Sequence, residues 1–350
     1  MYKLNRSYTA IIMLFIVCLC LTSISLIAQV EDEDTESIFD MATPNAVILR
    51  RNWQFTDPGG VVFHDGMFHM FQNAFNGWPA ESFVYHSISE DGITWERTSS
   101  IFVFDASDVP YAGLTALVTS ALVEDDGTWV IYYHTLDNNA SPWEGAIGRA
   151  TAEDPNGPWT ADPEPVLTAG SEGSWDSFHV AHPSVIRTED GYVMYYTGRT
   201  TDTVNIGMAT SEDGIEWTRY DNPETTDTLY AESDSLFAPI ETEADTNFAM
   251  QPQAVQTEDG WAMVLRRAIG YGDFGATLQI ASSDDGIEWA TSDMPPITRF
   301  DADGNAIWFT EFVYVDGVYY LFIEVGNVEP GFGNTTQIYL STFEDELPDF

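Results

Sequence analysis

Cysteine is nearly missing from this 350-residue chain: the two present, Cys18 and Cys20, both sit in an apolar N-terminal stretch. Beyond residue 20 neither a disulfide framework nor a thiol nucleophile is available. Lysine is scarcer still, with Lys3 alone, so nearly all strong positive charge comes from arginine. Twelve Lys and Arg side chains face 56 Asp and Glu, a formal charge of −44. That field repels nucleic acid, and it disfavours a strongly anionic polysaccharide unless a local arginine patch overrides it. A neutral glycan or other neutral partner is expected. Also missing are a glycine-rich phosphate loop, a GxSxG elbow, an HExxH zinc signature and a 12-residue EF-type loop. No metal site is therefore expected and no cofactor is required, although so many carboxylates would suit calcium. Long amphipathic helical patterns are absent. What the composition supplies is 44% hydrophobic and 14% aromatic residues, enough for a packed core and too much for disorder.

Lys3 and Arg6, the apolar run 10–21 and Ala28 have the layout of a signal peptide over 1–28. An uncleaved N-terminal anchor is the alternative. Residues 29–44, opening QVEDEDTESIFD, read as an acidic leader, and 45–350 as one domain. A secreted monomer with no membrane insertion after cleavage is expected. Its acidity suits salt adaptation or an ordinary soluble surface equally.

A repeat then sets the architecture. Asp-Gly pairs at 65–66, 126–127, 190–191, 259–260 and 316–317 recur at steps of 61, 64, 69 and 57 residues. Each separates two β-rich runs, which reads as a two-residue hairpin. A second mark follows: SEDGITW (89–95), SEDGIEW (211–217), SDDGIEW (283–289) and the looser AEDPNGPW (152–159). The pattern predicts an all-β, five-bladed β-propeller of four-stranded antiparallel blades. The fifth unit is short of its outermost strand, and residues 46–50 (AVILR) are expected to supply it and close the ring. Trp95, Trp159, Trp217 and Trp289 then read as packing between blades.

Innermost strands start at one mouth of a propeller's channel. Aligned on the apolar run before each Asp-Gly pair, their first residues are Asp57, Thr119, His182, Gln251 and Glu311, all polar. The DPGGVVFHDGMFHMF start and the WDSFHVAHPSVI, DGYVMYYTG and IGMATSEDGIEW segments resemble the arabinanase, levansucrase and invertase group of five-bladed glycoside hydrolases. The resemblance runs from about Asn45 to the C-terminus. It implies an Asp at the start of blade one as base or nucleophile, a second Asp before a Pro, and a Glu before another Pro as acid. Asp57-Pro58 matches the first. His182-Pro183 stands at the second, and Met250-Gln251-Pro252 at the third, so two of the three positions depart from the pattern.

Three functions fit these residues. The first is a glycosidase that takes its acid from elsewhere. Glu311 is the candidate, because Phe309-Thr310-Glu311 mirrors Phe55-Thr56-Asp57 and blades five and one become neighbours on closure. Asp176 and Glu243 are reserve carboxylates, and His182 or His179 an alternative acid. The second is a sugar-binding propeller without catalysis, with Trp53, Trp78, Trp143, Trp175 and Trp308 as stacking platforms, aided by His179 and Gln251. The third is a phosphorylase using Arg199 and one of Arg266–Arg267, since adjacent strand residues point to opposite faces. The same alternation predicts that His179 and His182, three apart, diverge rather than clamp a metal.

Overall fold

The computed structural model describes residues 46–48, 52–136, 145–241, 246–269, 277–292, 306–327 and 335–344. The expected signal peptide and leader, Trp143 and Glu243 lie outside these residues. All of the described residues fall in one compact unit spanning 39–350.

Five antiparallel sheets form in chain order. Blade one contains β1 (Phe55–His64), β2 (Met67–Phe75), β3 (Ser82–Ser89), β4 (Glu96–Arg97) and β5 (Phe104–Asp105). Blade two contains β6 (Thr115–Val123), β7 (Trp129–Leu136), β8 (Ile147–Ala152) and β9 (Thr160–Ala161). Blade three follows as β10 (His179–Thr188), β11 (Gly191–Arg199), β12 (Val204–Ser211) and β13 (Thr218–Arg219). In blade four are β14 (Ile240–Glu241), β15 (Thr246–Thr257), β16 (Gly260–Ala268), β17 (Thr277–Ser283) and β18 (Ala290–Thr291). Among the described residues blade five has three, β19 (Ala306–Val315), β20 (Val318–Asn327) and β21 (Thr335–Glu344). Its open edge carries an antiparallel bridge from Ile48 to Ile338, with Ile338 N–H donating to Ile48 O at 3.1 Å. That is where the closing strand was expected. Among the described residues no helix is long and apolar enough to cross a membrane.

The Asp-Gly hairpins are of more than one kind. Asp65-Gly66 and Asp316-Gly317 are two-residue turns with φ positive at both positions. In blades three and four the turn is Glu189-Asp190 or Glu258-Asp259, and the glycine opens the next strand. There Gly191 and Gly260 take φ of 124° and 135°.

The second motif locks neighbouring blades. Asp91, Asp213 and Asp285 each accept two backbone N–H bonds within their loops. These loops, and the looser one at 152–159, present a Trp edge-on to the second strand of the preceding blade. Trp159 meets Phe71 at 5.4 Å, Trp217 meets Tyr132 at 6.1 Å and Trp289 meets Tyr195 at 5.5 Å. Trp95 of blade one meets Phe322 of blade five at 5.6 Å. Each such pair is worth roughly 0.5–1.5 kcal/mol beyond its buried area. The packing role expected of these four tryptophans is what they perform, and the apolar core lies between blades.

Every inner strand breaks register at a matching height: after Asp57, Val118, Ala181, Met250 and Ile307. The bulges hold Pro58-Gly59, Thr119, His182-Pro183, Gln251-Pro252 and Trp308-Phe309. Proline is tolerated there because a bulged residue owes no hydrogen bond to the ladder.

Candidate active site

The bulges bring the functional side chains together. Asp57 stands at the last paired position before the blade-one bulge and is 1% exposed. Its Oδ1 accepts from Gly59 N at 3.0 Å and Asn73 Nδ2 at 2.6 Å. No hydrogen bond among the described residues reaches its Oδ2. Gly59 has φ of 58°, and a Cβ there would fall 1.9 Å from Phe71 O, so this turn back onto the carboxyl requires glycine. Asn73 also donates to Val118 O at 2.8 Å, tying blade one to blade two. Burial pushes the Asp57 carboxyl up to about 7, against the hydrogen bonds from Asn73 and Gly59 that pull it down. Near neutral pH the group can therefore both hold and release a proton.

Register corrects the expectation that Asp57 and Glu311 hold equivalent positions in their blades. The blade-five counterpart of Asp57 is Ile307, and Glu311 lies four positions further along β19, beyond the bulge. The shared Phe-Thr context misleads because it falls before the bulge in one strand and after its first residue in the other. Glu311 is buried. Its Oε1 accepts from Val61 N at 3.1 Å, a bond across blades that Ser120 and Ser184 make to Val185 N and Ala254 N elsewhere. Its Oε2 has no hydrogen bond among the described residues. It borders an axial cavity of about 280 Å3 on the hairpin side of the bulges, lined by residues that follow the bulge in all five inner strands and not by Asp57. Burial pushes its carboxyl well above the usual range, and the Asp57 charge adds to the shift.

A third carboxyl, Glu324 on β20, was missed. It is buried, its Oε2 accepts from Phe309 N in the blade-five bulge at 3.3 Å, and the Thr336 side chain bonds it as well. Burial and then the Asp57 charge push it up, while Arg266 draws it down. The available signal was one ionisable residue inside the run VYYLFIEVGN.

His182 and Gln251 occupy the bulges of blades three and four, both at φ of 52°. Gln251 N donates to Thr197 Oγ1 at 2.8 Å, and its Oε1 meets no donor among the described residues. The expected divergence of His179 and His182 does not occur, because the bulge interrupts strand alternation. Both rings face His134 of β7, at 6.4 Å and 4.5 Å. His182 N donates to His134 Nδ1 at 3.4 Å, and its ring lies 5.3 Å from Phe309. Burial lowers all three imidazoles, His134 to about 3, so neither His179 nor His182 is charged to serve as an acid near neutrality. Of the adjacent arginines one faces the site, as alternation requires. Arg266 is buried with its guanidinium 5.4 Å from the Trp308 ring. Arg267 turns away to Gln279 Oε1 at 2.9 Å and Ala238 O at 3.2 Å.

Asp176 is not part of this group. It is fully buried, bound by Arg219 Nε at 2.8 Å, Tyr196 Oη at 3.1 Å and Ser174 Oγ at 3.0 Å. Arg219 also donates to Thr168 O, so the carboxylate pins the 168–178 loop to the outer strand of blade three. Trp175 is 2% exposed and donates to Ser233 Oγ at 3.0 Å, which leaves it no face for a sugar. Trp53 is half-buried against Phe83 and Tyr85. Trp78 is 37% exposed just beyond β2, near Phe75, at the same end of blade one as Asp57. Among the described residues no three His, Cys, Asp or Glu side chains gather as metal ligands.

Residues 50–266 match the family model described as the glycosyl hydrolases family 32 N-terminal domain. An uncharacterized protein of Mycobacterium tuberculosis is 26% identical over 194 residues, 53% of this chain and 58% of that protein. The match thus spans less than two thirds of the length of that curated relative. Among solved structures, a family 117 glycoside hydrolase of Zobellia galactanivorans superposes with a TM-score of 0.62 at 16% identity, covering 89% of this chain and 92% of that one. Another comes from work on the GH130 family of mannoside phosphorylases, reported to contain glycoside hydrolases that target β-1,2-mannosidic linkages in Candida mannan. It gives 0.60 at 18% identity, covering 84% and 85%. At these identities the likeness is one of fold.

Proposed function

The chain belongs to the family of the glycosyl hydrolases family 32 N-terminal domain, and from that premise we propose that it hydrolyses a glycosidic bond at the bulge end of its axis. Asp57 serves as base or nucleophile and Glu311 as acid. One observation carries this reading. Asp57 Oδ2 and Glu311 Oε2 are buried oxygens that no hydrogen bond among the described residues reaches, and the charge of Asp57 acts on Glu311. Glycoside hydrolysis needs one protonated and one ionised carboxyl across the bond. Burial raises Asp57 to about 7 and Glu311 well above the usual carboxylate range, and the charge of an ionised Asp57 favours the proton on Glu311, which suits those two states. The proton leaves Glu311 for the departing sugar oxygen as the bond to the anomeric carbon breaks. Asp57 then either attacks that carbon or takes a proton from the attacking water. The substrate is a largely uncharged oligo- or polysaccharide, since a chain of −44 repels a polyanion.

The test is sugar release from a panel of oligosaccharides by the native chain, Asp57→Asn and Glu311→Gln. Release lost in both supports the pair, whereas release that survives Asp57→Asn rejects it. A second reading, glycan binding without turnover, is favoured by His182 and Gln251, which place no carboxyl in the bulges of blades three and four. It predicts binding by all three proteins and release by none.

A further inference from the structure

Basic side chains gather around His134, beside the Asp57 site. Two guanidinium groups flank three neutral imidazoles at the mouths of blades two, three and four. Arg199 closes β11 opposite His179, with its guanidinium 5.2 Å from the Phe178 ring. Arg266 stands near the end of β16 opposite Met250, buried, beneath Trp308. Between them lie His179, His134 and His182 in successive ring contacts. Arg199 acts electrically on His179 and Arg266 on His182, so the charge of both arginines bears on this row of imidazoles. The buried Gln251 Oε1, which meets no donor among the described residues, marks the adjoining bulge as a place where a ligand's hydroxyl would be received. A chain with 12 basic residues among 350 has thus placed two of them beside its candidate active site.

Resting on the glycan reading above, we propose that this cluster holds the carboxylate of a uronic acid unit in an otherwise uncharged glycan, between Arg266 and Arg199. Arginine is the side chain whose fork matches a carboxylate, and neutral imidazoles can donate N–H bonds to the same oxygens without adding charge. The chain's overall negative field does not prevent this. Surface charges more than about 10 Å away are screened by salt, whereas buried groups are screened far less. A single acidic sugar unit can therefore be accepted where a polyanion is repelled.

The test is calorimetric titration of Asp57→Asn, which reads binding without turnover, using matched pairs of oligosaccharides that differ only in carrying a uronate or its neutral parent sugar. The uronate member is expected to bind at least about tenfold tighter, as a charge-assisted hydrogen bond supplies. That preference should disappear when Arg266→Gln is added and shrink when Arg199→Gln is added. Arg199 is only half-buried, so its variant carries the test if the Arg266 variant does not fold. Equal or tighter binding of the neutral members overturns the proposal, as does a preference that survives both substitutions, or no binding by any member. An arm with inorganic phosphate separates the other source of an oxyanion. If phosphate is required for sugar release while uronates bind no better than neutral sugars, the arginines hold a co-substrate and the proposal fails. Absence of hydrolysis by the native chain sinks the hydrolase reading alone and leaves the titration standing.

Discussion

Replacing Asp57 with Asn should stabilise the protein at pH 8 while abolishing sugar release. An unfolded Asp ionises near 3.8, whereas burial holds this one until about 7. Between those values the folded chain keeps a proton that the unfolded chain has released. Its stability therefore falls as pH rises through the window, and the loss is complete above about 7. Three pKa units correspond to roughly 4 kcal/mol. Asparagine carries no charge to bury, and its amide oxygen can still accept from Gly59 N and Asn73 Nδ2. Its NH2 takes the place of Oδ2, which meets no hydrogen-bond partner among the described residues, and so leaves a donor unmet just as the O–H of the protonated native carboxyl does. The variant should be up to about 4 kcal/mol more stable than the native chain at pH 8, an advantage that shrinks toward zero near pH 4, where the folded native carboxyl is neutral too. Urea unfolding of both proteins at pH 4.5 and pH 8 reads the difference. A variant destabilised equally at both pH values would show that the Asp57 charge is not buried against its preference, and the acid–base argument would fall with it.

Glu324→Gln keeps an acceptor for Phe309 N but removes the carboxyl next to Asp57. The charge of Asp57 raises Glu324, which burial keeps protonated, so the ionisation of Asp57 in the pH profile of sugar release should stay where it is, and a shift of about one pH unit downward would show that Glu324 is charged beside it. Asp176→Ala strands the buried end of Arg219 and should cost about 3 kcal/mol in urea unfolding. Release per folded molecule should not change, and a selective loss of activity would return Asp176 to the site. Gly60→Ala puts a Cβ 2.7 Å from the Ser120 backbone carbon and should fail to fold or melt at markedly lower temperature than the native chain. A normal melting curve would show that blades one and two can part.

The fold was legible because its punctuation is local. Asp-Gly turns and the SxDGxxW loops depend on φ values and hydrogen bonds within a few residues, and those recur in the sequence unchanged. The site was less legible because it is built on bulges. One extra residue per inner strand displaces every later position, so aligning Phe-Thr-Asp with Phe-Thr-Glu matched residues at different heights. The same bulge turned His182 toward His134, a residue carried by another blade and invisible to spacing arguments. Asp57 was found because it precedes its bulge. Glu324 escaped because it reaches the site from a second strand rather than an inner one. The sequence context of Asp176 did not reveal Arg219, 43 residues away, which claims it.

The four tryptophan latches point one way round the ring, blades one to four each leaning on the one before it. For blades two, three and four the surface leaned on is already made when the tryptophan leaves the ribosome. Blade one is the exception, because Trp95 rests on Phe322 and Ile48 bridges to Ile338. Its partner is the last blade to be synthesised, so blade one must wait for more than 200 residues of chain before its outer side is covered. Until blade five is made, Phe68, Trp95 and the Ile48 segment lack these partners, and the contacts that close the ring span about 230 to 290 residues of sequence. The first-made blade is the one a chaperone would have to guard.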